Sequence, residues 1–306
     1  MTDSPTLTPL AFNAVTRRWR AGLLGATEAV TALDQVSFTI GAGEIVALTG
    51  GAGAGKSTLL LLATGMVAPT EGEVRWGGGH LVGAVRPQLI GARPWEYHFL
   101  TVREALAFHA DILALREDVP PPPTRFVPLM GEVGLRGESR TRLGQLGALD
   151  AFRVVVAQAL LAAPRLICCE EPFAFCGPAE KLEAIRLLQR LAGRGIAFLL
   201  ATRDAAGIAA LGLADRTLRL TRGQLDADDR ASRSVLELSV PSPADAFARL
   251  SSRLPSLARR GRRLRVPLRG HSPESILALC RDAGVRVRAS RVAEERGALP
   301  ARADAP

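Results

Sequence analysis

The sequence predicts an α/β fold with a mostly parallel sheet, followed by a smaller α+β unit. Three observations carry that reading. Strand-like and helix-like periods alternate along the first 229 residues, as a parallel sheet requires. A glycine-rich loop stands between an apolar strand and an apolar helix. Beyond Asp229 the order changes to three strand-like runs separated by two helices.

Taken in order, Leu33–Ile40 and Glu44–Thr49 read as strands around a Gly41-Ala42-Gly43 turn, and a helix begins near Gly55. Glu73–Trp76 and Leu81–Val85 read as short strands flanking three glycines. Thr101–Leu115 has helical spacing of Val102, Ala105, Leu106, Phe108, Ile112 and Leu115. Pro120–Pro123 is a connector, and Ala151–Ala163 is an apolar helix. Arg165–Cys169 is a buried strand that ends in Glu170-Glu171-Pro172. Pro178–Ala192 is a helix, and Ile196–Ala201 and Asp215–Leu220 are strands. In the last part, strands are expected at Val235–Val240, Arg263–Leu268 and Val285–Arg288, with helices near Ala244–Arg253 and Pro273–Arg281.

No run approaches the roughly 18 apolar residues of a membrane-spanning helix. Met1–Pro9 lacks the basic-then-apolar order of a secretory signal, so a cytoplasmic protein is expected. Cys168, Cys169, Cys176 and Cys280 have no zinc-ligand spacing and read as buried, reduced thiols. The net charge of +9 lies wholly in residues 230–306, which hold 16 Arg against 7 acids. Such an excess suits a nucleic acid, an anionic membrane surface, or simply a solvated arginine-rich tail.

Only Lys56 and Lys181 are lysines among the 39 basic residues. One of them closes Gly50-Gly51-Ala52-Gly53-Ala54-Gly55-Lys56-Ser57, which fits the phosphate-loop pattern. The glycines let backbone N–H groups converge on an anion, and the following helix, opening through Thr58, adds its positive end. Lys56 would reach the β- and γ-phosphates of ATP, and Ser57 would ligate Mg²⁺. A dinucleotide site is disfavoured, because it leaves Lys56 unexplained.

From about residue 10 to 225 the chain resembles ABC transporter ATPases. The resemblance is carried by Ala32–Phe38 before Gly43-Glu44-Ile45, by the phosphate loop, by Pro87-Gln88 with Leu100–Glu104 after it, and by Leu160–Pro172. It implies an ABC-type P-loop NTPase: α/β with a mixed sheet, an ATP-binding domain over 1–229 and a helical subdomain at about 89–158. A small C-terminal α+β domain at 230–306 is similar to the extension of type-2 exporter ATPases. It further implies that Trp19 stacks on adenine, Gln88 senses Mg²⁺ and the attacking water, Glu170 faces the Mg²⁺ shell and Glu171 orients the water.

Four motifs depart from the family pattern. Glu170 stands for an Asp. The signature segment falls on Leu146, Gly147, Ala148, Leu149 and Asp150, where only the Leu is kept. Gly177 replaces the D-loop Asp, and Arg203 replaces the switch His in Ala201-Thr202-Arg203-Asp204. The function implied is an ATP-binding subunit that couples ATP binding, with slow or partner-dependent hydrolysis, to a separate membrane permease, in the direction of export. It would act as a homodimer or with a paralogous ATPase, peripheral on the inner face of the membrane. The alternative is a catalytically impaired regulatory subunit. Nucleic acid is a disfavoured partner, because there is one ATP-binding module and no long coiled-coil insertion.

Overall fold

The computed structural model describes residues 8–20, 29–77, 87–91, 97–117, 123–204, 212–230, 234–251, 254, 257–261, 263–267 and 273–294. Two compact units emerge: Met1–Ala205 with Arg216–Asp229, and Ala206–Asp215 with Arg230–Pro306. Among the described residues no helix is long and apolar enough to cross a membrane.

The first unit is built on two sheets. The strands β1 (Leu10–Arg20), β2 (Ala29–Ile40) and β4 (Glu71–Trp76) form an antiparallel sheet in the order β2-β1-β4. β1 was not foreseen. Its register slips between Phe12 and Val15, between Val15 and Arg17, and between Arg17 and Arg18, so no strict alternation survives in its sequence. A bulge also re-aims side chains, here at the end of β1 that carries Arg17 and Trp19.

The second sheet contains β3 (Ile45–Thr49), β5 (Gln88–Ile90), β6 (Leu166–Glu170), β7 (Ala197–Thr202), β8 (Arg216–Thr221) and β9 (Gln224–Arg230), in the order β5-β6-β7-β3-β8-β9. β5, β6, β7, β3 and β8 run parallel. β3, β7 and the first four residues of β6 are fully buried, the continuous apolar pattern of a strand covered on both faces. The β8–β9 hairpin turns on Arg222 and Gly223, both at positive φ, as a two-residue hairpin demands. Between the two sheets packs the helix α1 (Lys56–Ala63). Leu59, Leu60, Leu62, Phe12, Phe38, Val46, Leu48, Val74 and Leu218 share one core.

Helices α2 (Val102–Glu117), α3 (Phe126–Val133), α4 (Ala148–Leu161) and α5 (Pro178–Ala192) complete this unit. The expected strand Leu81–Val85 and Pro120–Pro122 lie outside the described residues. Cys168 and Cys169 are buried in β6, and burial pushes both thiols well above the usual range. They are inert packing groups in this state.

In the C-terminal unit, β10 (Ser234–Ser239), β11 (Ala258–Arg260), β12 (Arg263–Pro267) and β13 (Ala289–Glu294) form an antiparallel sheet in the order β11-β12-β10-β13. Helices α6 (Pro243–Leu250) and α7 (Pro273–Asp282) pack on one face of it, closing Leu236, Leu238, Leu264 and Val266 against Ala246, Leu250, Ile276 and Cys280. The strand expected at Val285–Arg288 is not there. Gly284 is at φ +66 and Val285 N donates to Cys280 O at 2.8 Å, so these residues finish α7, and pairing starts at Ala289.

Candidate nucleotide site

The loop from Gly50 to Ser57 leaves the C-terminal end of β3, the end of an open parallel sheet where ligands bind. Two of its glycines are dictated by packing. A Cβ on Gly50 would lie 2.3 Å from Leu220 O, and one on Gly55 2.4 Å from Ala32 O; their φ angles are +152° and +105°. Gly51 and Gly53 have nothing within 4 Å of such a Cβ, so the outer side of the loop is open. Ala52 lies in the exposed turn between them, and the buried Ala54 anchors the loop through its carbonyl, which accepts from Gly223 N at 3.0 Å.

Gly55 caps α1 without a side-chain hydrogen bond. The first N–H groups of a helix have no partner within it, so α1 presents donors and a positive dipole end at the loop. Lys56 Nζ donates to Gly50 O at 2.7 Å and Gly51 O at 2.8 Å. The ammonium is therefore folded over its own loop.

Ser57 Oγ donates to Glu170 Oε1, closing a contact between residues 113 apart in sequence. This joins the start of α1 to the end of β6. A hydroxyl and a carboxylate oxygen side by side are hard donors of the kind Mg²⁺ takes, together with phosphate and water; the donor set fits that ion.

Glu171 follows at φ +45°, a left-handed conformation uncommon for a non-glycine residue and a frequent mark of functional sites. Its N–H donates to Ala201 O at 2.8 Å, which fixes the turn against β7. Its carboxylate is taken up by the end of β7. Oε1 accepts from Arg203 N and Arg203 Nε, each at 3.1 Å, and Oε2 accepts from Thr202 Oγ1 at 3.2 Å. Glu171 and Arg203 thus stand in one cluster with the Ser57–Glu170 pair at the ends of neighbouring strands.

Trp19 reaches the same region. Its Nε1 lies 3.4 Å from Thr58 Oγ1 on α1. The Arg17 guanidinium sits 4.1 Å from the centre of the indole, and its Nη1 donates to Ala68 O at 2.9 Å. One face of the ring is covered by a cation.

Two expected groups stand apart. Gln88 opens β5, but the register pairs it with Ile167, and Ile90 with Cys169. It lies three residues, about 10 Å along the strand, short of the level of Glu170. In this register Gly91 comes level with Glu170. Leu146–Asp150 is the entry to α4: Gly147 is its cap, Ala148, Leu149 and Asp150 its first turn, and Asp150 pairs with Arg153 at 2.8 Å. α4 packs with α2, α3 and α5. Gly177 caps α5, its N–H donating to Glu180 Oε2 at 2.8 Å. Sequence reasoning missed Thr202 and Arg17 as members of the cluster. Only adjacency to Arg203 and Trp19 could have pointed to them.

The family described as ABC transporter matches residues 33–174. The lipoprotein-releasing system ATP-binding protein LolD of Chromohalobacter salexigens is 32% identical over 228 residues, 72% of this chain and 93% of that protein. The macrolide export ATP-binding/permease protein MacB of Burkholderia cenocepacia is 31% identical over 72% of this chain but only 32% of its own length. The thiamine import ATP-binding protein ThiQ of Cereibacter sphaeroides is 34% identical over 61% of this chain and 81% of its own. Among solved structures, the ADP conformation of an ATP-binding cassette of an ABC transporter superposes with a TM-score of 0.63 at 21% identity, covering 74% of this chain and 92% of that one. A dimeric cassette in a post-hydrolysis state with ADP and Pi gives 0.59 at 21% identity, covering 72% of this chain and 98% of that one; both likenesses concern the fold. With the phosphate loop and the strand-end acids in place, the chain belongs to the ABC transporter family as an ATP-binding subunit.

Proposed function

We propose that this subunit binds ATP with Mg²⁺ at Gly50–Thr58 and couples binding, with slow or partner-dependent hydrolysis, to a separate membrane permease that exports its substrate. The Ser57–Glu170 contact carries the proposal, because it brings the loop's metal-binding hydroxyl and an acid of β6 to one point. The lipoprotein-releasing and macrolide-export relatives support an export direction, and the thiamine-import relative is the counterexample.

In this reading Lys56 releases the Gly50 and Gly51 carbonyls and turns to the β- and γ-phosphates. Backbone N–H groups of the loop and of α1 hold the remaining phosphate oxygens. Ser57 and Glu170 would hold Mg²⁺, whose charge offsets that of the phosphates. Trp19 offers the ring face not covered by Arg17 to the base. Glu171 orients water for attack once its carboxylate leaves Arg203 and Thr202. A pair of such sites is completed by a second ATPase subunit, the same or a paralogue, through its Leu146–Asp150 segment.

The alternative is a regulatory subunit that binds ATP and scarcely turns it over. The three hydrogen bonds that already occupy Glu171 favour it. Both readings require nucleotide binding, which a thermal melt tests. At ligand about 100 times its dissociation constant, linkage contributes roughly 2.7 kcal/mol, or a shift of about 5–10 °C for a domain of this size. Lys56→Ala is expected to abolish most of that shift. An unshifted wild-type melt at millimolar ATP and Mg²⁺ would remove the proposal.

A further inference from the structure

The C-terminal sheet has one face under α6 and α7 and one turned away from them. Strand alternation and register place Glu237 of β10 on the second face, opposite Arg265 of β12 and Arg291 of β13. Arg263 shares that face two residues from Arg265. Arg263 Nη1 donates to Glu237 Oε2 at 3.0 Å. Arg291 Nη2 stands 3.9 Å from the same oxygen. Arg265 Nε is 3.2 Å from Oε1, close enough for an ion pair but aligned for no hydrogen bond.

Three guanidinium groups therefore converge on one carboxylate. They carry about fifteen N–H donors between them, against about four lone-pair positions on Glu237. Glu237 is only 16% exposed, whereas Arg263 and Arg291 are 60% and 73% exposed. The carboxylate sits beneath the arginines; Arg265, 20% exposed, is largely covered, and the unspent donors of Arg263 and Arg291 reach solvent, over a cluster with a surplus of two positive charges. Planar forks held in this way match phosphate oxygens. The rest of the chain outside 230–306 has no net charge to share this attraction.

We propose that this arginine face of the C-terminal unit docks on the phosphate headgroups of an anionic lipid bilayer. The inference rests on the reading above for the presence of a membrane beside the protein. Charge complementarity selects the occupant: a bilayer offers a plane of phosphates to a strand-built array of arginines. The electrostatic gain near such a surface corresponds to about fivefold in partitioning for each arginine.

The test uses the full chain in flotation with vesicles of phosphatidylcholine alone or mixed with phosphatidylglycerol. Binding is expected to the mixed vesicles only, to weaken with added salt, and to fall about fivefold each in Arg263→Ala and Arg291→Ala. Glu237→Gln removes a negative charge from the face and is expected to tighten binding. Arg281→Ala, on α7, is expected to change nothing. Wild-type protein that ignores anionic vesicles would overturn the proposal. So would an equal loss in Arg281→Ala, which would mean diffuse charge, or displacement from vesicles by a nucleic acid at the same salt. The ATP-induced melting shift, measured on the same samples, separates these results: its absence counts against nucleotide binding, and its presence beside failed flotation counts against the lipid face alone.

Discussion

The two halves of the nucleotide site differ in how their polar groups are employed. At Gly50–Ser57 the loop's outer side is open, with the start of α1 behind it. At the ends of β6 and β7 the acid that would orient water is already engaged by its own chain, and the partner that holds it is an arginine at the position where the family carries a histidine. Holding an anion needs only donors aimed at a vacant concavity. Activating water needs an acceptor with a free lone pair in the right place. Three of the roughly four lone-pair positions of Glu171 are taken, so in the proposed reading binding and turnover are separable quantities.

The largest expected effect breaks the binding half by its backbone. Gly55→Ala places a Cβ against Ala32 O at a φ of +105°. Backbone strain of about 1–3 kcal/mol adds to a similar cost for the contact, so a stability loss near 3–4 kcal/mol is expected in a chemical denaturation series. A loss under about 1 kcal/mol would show that the loop is not held by the β8–β9 turn and β2 as described.

Next in size is the hydrolytic half. Glu171→Gln is expected to lower phosphate release by about 10²-fold or more in the complex with permease and partner, with the ATP-induced melting shift intact. Unchanged turnover would move the water-orienting role to another residue.

A smaller change tests the arginine. A hydrogen bond to a charged group is worth about 1.5–3 kcal/mol, less for one as exposed as Arg203 at 72%. Arg203→His with Glu170→Asp removes the Arg203 Nε bond and leaves those from Arg203 N and Thr202 Oγ1, and is expected to raise turnover by about tenfold. A fall instead would mean that Arg203 stabilises charge in the transition state, and the comparison between the halves would have to be redrawn.

The smallest effect lies at the start of α2. Glu104 accepts from Thr101 N and Thr101 Oγ1, both at 2.8 Å, and these two bonds hold its carboxyl below the usual glutamate range. A depressed value means stabilisation that is present above the ordinary glutamate pKa and is lost as pH falls through the lowered one. Glu104→Ala should therefore destabilise slightly at neutral pH and not at all in strong acid. Melts at the two pH values check the sign. A penalty unchanged by acid would trace the effect to packing.

Much of this molecule can be read from its sequence where chemistry or continuous burial writes the pattern. The loop and α1 are marked by Lys56 and by the leucines after it. Burial on both faces makes β3, β6 and β7 plain apolar runs, and α5 opens on Pro178 and closes at Ala192 as its periodicity says. The remainder depends on pairing. β1 is hidden by its slips of register. That β2 and β3, joined by one tight turn, belong to different sheets is decided by partners far along the chain. That Gln88 lies level with Ile167 in the sheet is set by the pairing of β5 with β6. Val285 and Val287 alternate as a strand would, yet Val285 is drawn back onto α7 by its bond to Cys280. In the site, Glu171 and Arg203 are each visible as residues. Their embrace follows from two strand ends lying side by side, which no local pattern reports.

The folded-back ammonium of Lys56 has a use at the bench. Side-chain amines are confined to Lys56 and Lys181, and Lys181 lies on α5, 3.9 Å from Asp204. An acylating reagent therefore meets one amine inside the loop and one outside it, which serves as an internal reference. In the proposed reading Lys56 trades two carbonyl acceptors for phosphate oxygens when nucleotide arrives, and the ratio of labelling at the two positions would then gauge occupancy, readable by mass spectrometry without a substrate, a permease or a turnover assay.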